Sequence, residues 1–207
     1  MPPDAEPPGA EQPSGAVLLA AVEAAWVTAF GPVGSRGSVS FVGVAPIDVL
    51  RIGPDSAGAV RYVTLGMARM PMSDPRAVVM DPVAGPRAEL VLTLSRRRDS
   101  ILRAMAALAS APAVDGLVLA PDATVDTGLP LWDGAEFTAV LVNTPTLPDV
   151  VVAGGGEPIR LLPVVPITGA ELAYRRIHGA EALREVWREA GTDLHAPTRR
   201  TTAIPPA

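Results

Sequence analysis

Residues 38–65 read SVSFVGVAPIDVLRIGPDSAGAVRYVTL, and this stretch decides the fold class. Three strand-like runs follow one another in it, Ser38–Val44, Ile47–Ile52 and Val60–Leu65. Turn residues separate them, among them Gly53-Pro54-Asp55 and Gly58, which is the punctuation expected between short strands.

Working outward, residues 16–30 carry apolar side chains at spacings of three and four, from Val17 and Leu18 through Trp26 to Phe30. That period predicts a helix over Ala16–Phe30, with Ser14 as N-cap and Gly31-Pro32 as its stop. Towards the C-terminus, a proline-broken stretch from Met70 to Pro86 leads to Arg87–Leu94. There Ala88, Leu90, Leu92 and Leu94 alternate with Glu89, Val91 and Thr93, the period of a half-buried strand. Asp99–Ser110 reads as a second amphipathic helix. Leu117–Leu119, Phe137–Val142 and Ile159–Val165 read as further strands. Thr168 and Glu171 form a capping-box pattern, in which hydroxyl and carboxylate satisfy each other's orphan amides. The helix it opens is expected to be interrupted at Gly179, resume, and stop at Gly191. Strands grouped in this way, rather than in strict βα alternation, favour an α+β fold over a doubly wound α/β one; the expected architecture, a mixed, mainly antiparallel β-sheet flanked by α-helices, is the one implied by the resemblance given below.

The domain layout follows from composition. Residues 1–15 are dominated by Pro, Glu, Gln, Gly and Ser and are expected to be a disordered tail. Residues 16–192 form one patterned domain, and 193–207 a flexible C-terminal tail. With 207 residues and 48% hydrophobic content, one sizeable core is affordable without metals or disulfides.

The same composition excludes several chemistries. There is no cysteine, hence no thiolate nucleophile, cysteine-held zinc or iron–sulfur cluster. All 17 basic residues are arginine. Without lysine there is no Walker A amine for the Gly154–Gly156 run, no Schiff base and no kinase ion pair. A net charge of −5 argues against a nucleic-acid binder, which needs a basic face. The proline- and acid-rich opening does not read as a secretory signal, and the longest apolar run is too short to span a bilayer. The expected location is the cytoplasm, with no membrane partner and no cofactor.

The remaining candidates are few. His178 and His195 are too far apart for a paired metal motif. His178, one turn after Tyr174, is either a general base working with nearby carboxylates or a residue at a helix junction. Gly34-Ser35-Arg36-Gly37-Ser38 lacks the nucleophile-elbow spacing and reads as a loop. Asp115, Asp122, Asp126 and Asp133 do not follow a calcium-loop pattern and suit turns. Arg96, Arg97 and Arg98, with Arg103 close by, form either a solvated turn or a grip for an anion or an acidic partner. Trp132 follows Gly128-Leu129-Pro130-Leu131 and is either packed under that loop or exposed as an anchor for a partner. Trp132, Asp126, Asp133, Arg96, Arg97 and Arg98 are therefore the candidate partner-binding residues. No residue is assigned a catalytic, cofactor or metal role.

From Arg61 onward the order of motifs resembles the suppressor-of-fused domain family, in its short bacterial form. The matching pieces are Arg61-Tyr-Val-Thr-Leu-Gly-Met67, Arg87-Ala-Glu-Leu-Val-Leu92, Ile101-Leu-Arg-Ala-Met-Ala-Ala-Leu108 and Leu117-Val-Leu119. Leu131-Trp132, Phe137-Thr-Ala-Val-Leu141, Leu161-Leu-Pro163, Thr168…Glu171 and His178-Gly179 follow in order. The resemblance implies a mixed sheet with flanking helices, no catalytic residues, and a role in binding another protein. The family's animal member resembles a scaffold that takes a partner's peptide as a strand between two domains, of which this chain matches the N-terminal one. For short bacterial members the implied role is an immunity protein that binds and neutralises a toxin. The alternative is a small hydrolase or ligand-binding protein using His178 with nearby carboxylates. A structural subunit of a homo-oligomer is a third.

Overall fold

The three runs that open the sheet pair in sequence order. The structure is a computed structural model that describes residues 14–73, 85–153 and 156–204. In it β1 (Val33–Phe41), β2 (Val44–Ile52) and β3 (Val60–Leu65) form an antiparallel meander, with Val39 opposite Ile47 and Leu50 opposite Val63. β4 (Arg87–Leu94) pairs antiparallel with β3. The chain then passes through α2 (Ile101–Asp115), β5 (Thr124–Asp126) and β6 (Phe137–Val142) before β7 (Ile159–Thr168) lies parallel to β4. The sheet order is β1-β2-β3-β4-β7-β6-β5, and among the described residues β4–β7 alone is parallel. This is the α+β class favoured by the grouped strands, with the mixed, mainly antiparallel sheet implied by the resemblance.

Two layers of helix cover the sheet. α1 (Gly15–Phe30) starts where Ser14 Oγ accepts from the Val17 amide at 3.4 Å, one of the orphan donors of a helix start. Leu18, Val22 and Trp26, one turn apart, face the sheet and bury against Leu50, Ile52, Val63 and Leu161. The Trp26 indole N–H finds the Thr64 carbonyl at 3.0 Å, so the largest side chain of α1 is buried without leaving its donor unpaired. α3 (Gly169–Glu189) packs on the same face, placing Leu172, Leu183 and Trp187 against Ala139, Leu141, Val165 and Ile167. α2 takes the opposite face, where Ile101, Met105 and Leu108 meet Ile47, Val49, Tyr62, Leu90 and Leu92. The expected capping box is present at the start of α3: Glu171 N donates to Thr168 Oγ1 at 3.3 Å and Thr168 N to Glu171 Oε2 at 2.9 Å. Gly179 kinks the helix at φ 88° and ψ 168°, a backbone state that a side chain strongly disfavours.

Several expectations need correction. Residues 34–38 are strand, not loop: they belong to β1, and a Cβ at Gly37 would sit 3.1 Å from Leu102 Cδ1. The glycine lets α2 approach the edge strand closely, which is a common reason for glycine within a strand. β4 is buried on both faces rather than one, being the fourth strand of seven with helices on either side. Its Glu89 is accordingly enclosed and accepts from Thr64 Oγ1 (2.6 Å), Gly66 N (2.7 Å) and Ala68 N (3.0 Å). α2 runs past the expected end at Ser110 to Asp115, through Pro112, and closes at Gly116 in the left-handed conformation.

Residues 117–119 are not a strand; the Leu119 amide donates to Met72 Sδ at 3.3 Å. Instead 124–126, expected to be turn, take the free edge of β6 as β5. Asp122 supports the turn before it, at φ 72°, one of the few side chains to tolerate that region. The segment after α3 is also not a free tail as far as residue 204. Arg199 and Thr202 are buried, and the Ser95 amide donates to the His195 carbonyl at 2.8 Å. The bulk of the expected N-terminal tail, residues 74–84 of the proline-broken stretch and Gly154-Gly155 lie outside the described residues.

Candidate protein-binding site

Four of the six sequence candidates lie at one end of the sheet, where β4 ends and α2 begins. The turn after Leu94 carries Arg96, Arg97 and Arg98, the first two exposed. Arg97 Nε contacts Asp99 at 2.5 Å, and Arg51 from β2 reaches the same carboxylate at 3.2 Å. The hydrogen bonds from Arg97 hold the Asp99 carboxyl below the usual carboxylate range. The Arg98 amide donates to the Tyr62 hydroxyl at 2.6 Å, tying the turn to the core. Burial pushes the Tyr62 phenol above its ordinary value.

Across from this turn lies the loop before β6. The Asp133 amide donates to Ser100 Oγ at 3.0 Å, joining the loop to the N-terminus of α2. Between them opens a cleft of about 300 Å³ whose lining includes Ser100, Arg103, Thr127, Leu129, Trp132 and Asp133. Leu129 stands at its rim, 70% exposed. Arg103 lies one turn into α2 and is exposed.

Two of the candidate residues have other positions than a shared patch requires. Trp132 is 3% exposed and packs on Phe137, ring centroids 5.3 Å apart. It is the floor of the cleft and not a projecting anchor, because a hydrophobic indole beside the sheet gains more from the core than from water. Asp126 is turned away: its Oδ1 caps the Gly128 amide at 3.0 Å and its Oδ2 faces Arg176 of α3 at 3.6 Å. Asp133, Arg96, Arg97 and Arg98 do share the end of the sheet. Leu129, exposed at the rim, is not among the sequence candidates, whereas the nearby tryptophan is. The local signal for it was weak, a lone leucine between glycine and proline.

His178 is exposed just before the Gly179 kink, its ring 4.3 Å from that of Tyr174. His195 contributes to a second cleft, of about 290 Å³, with Phe30, Arg61, Thr93 and Pro163 on the opposite face of the sheet. Among the described residues no group of three or more His, Asp or Glu side chains is placed to hold a metal ion. Nor is any helix among them long and apolar enough to cross a membrane.

The order of elements and this geometry meet in a comparison of sequences: residues 43–200 match the profile of the suppressor of fused protein (SUFU) family. The chain belongs to the suppressor of fused family. The match includes the whole of β2 to α3 and the buried Arg199, so the SUFU profile extends over the segment folded back after α3. Solved SUFU structures share the fold. A suppressor of fused homologue from Neisseria gonorrhoeae FA 1090 superposes with a TM-score of 0.63 at 17% identity, covering 92% of this chain and 97% of that one. A chain of the Sufu–Fu complex gives 0.62 at 11% identity, covering 92% of each. Drosophila Suppressor of Fused gives 0.61 at 12% identity, with 89% of this chain on 50% of that one. This chain thus corresponds to about half of the fly protein. No curated protein sequence matches it.

Proposed function

We propose that this SUFU domain is a non-catalytic protein-binding module that takes an apolar, acid-flanked segment of its partner at the cleft between α2 and the loop before β6. The observation that carries the reading is the pairing of an exposed Leu129 with a cluster of arginines. Arg103 lines the cleft with Leu129 and Asp133, and the turn before α2 adds Arg96, Arg97 and Arg98, of which Arg97 shares Asp99 with Arg51, in a chain whose net charge is −5. Local reversal of the overall charge favours acidic partners and speeds their encounter. A desolvated apolar contact inside a charged rim is the usual anatomy of such a site. Family membership supports the class of function, since a related fold is found in a complex of Sufu with Fu.

The cleft fits this role better than the outer edge of the sheet. The β1 edge carries register shifts between Val33 and Ser35 and between Val39 and Phe41. Such bulges discourage regular pairing with an added strand.

The partner class implied by the resemblance to short bacterial members is a toxin, which this domain would neutralise by occupying it. Co-expression with the toxin encoded next to its gene should restore growth, and Leu129→Glu should abolish the rescue while the protein stays folded. Rescue that is indifferent to Leu129→Glu and Arg103→Glu together removes the cleft from the account.

A further inference from the structure

α1 is apolar on both sides. Leu18, Val22 and Trp26 face the core. On the opposite side of the helix lie Val17 (52% exposed), Ala20, Ala24 and Val27 (40% exposed). Its one charged residue, Glu23, is turned aside to Arg36 at 2.5 Å. A helix that is hydrophobic all round is normally covered all round, and a contiguous exposed apolar strip marks an interface. Beside it, Ala25, Thr28 and Ala29 share a cleft of about 340 Å³ with Leu147, Pro148 and Val150. The next residue in the chain, Val151, is 78% exposed.

We infer that the outer face of α1 is the contact of a two-fold homodimer in which the α1 helices of two copies of this chain pack antiparallel. The occupant follows from the pattern. The residues Val17, Ala20, Ala24 and Val27 are spaced three, four and three, and read the same in both directions. Reversal about a two-fold axis therefore sets Val17 against Val27 of the other copy and Ala20 against Ala24. An isologous interface needs this kind of self-complementary patch. Spacings of three and four make a continuous seam along a helix. The two alanines at the crossing let the backbones approach, and the four seam positions carry no charge. Antiparallel helix dipoles add a small favourable term.

A 16-residue helix is about 24 Å long. Alone it covers less than the roughly 800 Å² per partner of a standard interface, which makes the expected dimer a weak, reversible one. The surface lies on the face of the sheet opposite the α2 cleft, so it stands or falls independently of the proposed function.

Sedimentation equilibrium of the full chain tests it. Wild type is expected to dimerise reversibly. Ala24→Arg would set two unpaired like charges at the crossing and weaken the dimer by at least about tenfold, with the circular dichroism and melting temperature of the monomer retained. The chain has no cysteine, so the register can be read separately. A variant with both Val17→Cys and Val27→Cys should oxidise to a covalent dimer, whereas Val17→Cys alone should not. A protein that stays monomeric up to about 1 mM, the weak end of specific association, overturns the inference. So does a dimer indifferent to Ala24→Arg, or a single-cysteine variant that cross-links as readily as the double one.

Discussion

Arg199 closes on Glu171 through two hydrogen bonds, Nη1 to Oε1 at 2.6 Å and Nη2 to Oε2 at 3.0 Å, where the carboxylate is fully enclosed. The same guanidinium lies over Phe137, 4.7 Å from its centroid, and donates to the Pro166 carbonyl at 2.6 Å. Glu171 also accepts from the Trp187 indole at 3.0 Å. One ion pair therefore fastens the segment after α3 to the start of that helix. Removing one partner of such a pair leaves the other charge buried without compensation. Arg199→Met is expected to cost about 3–5 kcal/mol in urea denaturation and to expose the segment around residues 193–204 to proteolysis. A loss within error of zero would show that the pair is incidental.

The pair also sets an acid dependence. Burial pushes the Glu171 carboxyl up, but the bonds from Arg199, Thr168 and Trp187 outweigh it and hold the group below the usual range. A carboxyl depressed in the folded state stabilises it above the unfolded pKa, about 4.3 for glutamate. That contribution is lost as pH falls through the folded value. The stability gap between wild type and Arg199→Met should therefore be full near neutrality and shrink below about pH 4.3. A gap that widens with acid contradicts the assignment.

Glu89 behaves in the opposite sense. Enclosure in the centre of the sheet is the largest influence and raises its carboxyl, against the bonds from Thr64 and the backbone amides at 66–68. A raised value means that its contribution is present at low pH and fades as pH rises through that value. Glu89→Gln turns an amide N–H₂ towards donors that need an acceptor. We expect a loss of about 1–3 kcal/mol, with the gap to wild type narrowing as pH rises. An unchanged urea midpoint would mean that the turn at Met67–Arg69 is held by other contacts.

The candidate cleft predicts a division of labour between neighbours in one loop. Trp132 is packed on Phe137, so Trp132→Ala should cost about 3–5 kcal/mol of stability. Leu129, at 70% exposure, should change stability by no more than about 0.5 kcal/mol when replaced by alanine, while weakening partner binding. Thermal melts of the two variants separate these roles. Equal destabilisation by both would mean that the loop is core and not a binding rim.

The sequence made the sheet legible wherever local patterning and turn chemistry agreed. β2, β3, β6 and the capping box at Thr168 and Glu171 were all marked by their own residues. What failed was set by neighbours distant in the chain. Gly37 reads as loop until Leu102 is known to press on it. Residues 124–126 read as turn until β6 offers them an edge. The residues after α3 read as tail because nothing nearby in sequence reveals that Arg199 has a buried carboxylate waiting 28 positions upstream. Of the candidate residues, the arginine turn and Asp133 are legible as surface groups from their local sequence. Trp132, following a Gly- and Pro-containing loop, reads equally as packed or exposed, because its burial depends on Phe137 and the first turns of α2.

The most direct test of protein binding is a pull-down from the native host with full-length wild type and Arg103→Glu side by side, read by quantitative mass spectrometry. The account predicts one protein retained near equimolar amounts by wild type and lost from the folded variant. The absence of any stoichiometric partner, or its equal retention by both, would contradict it.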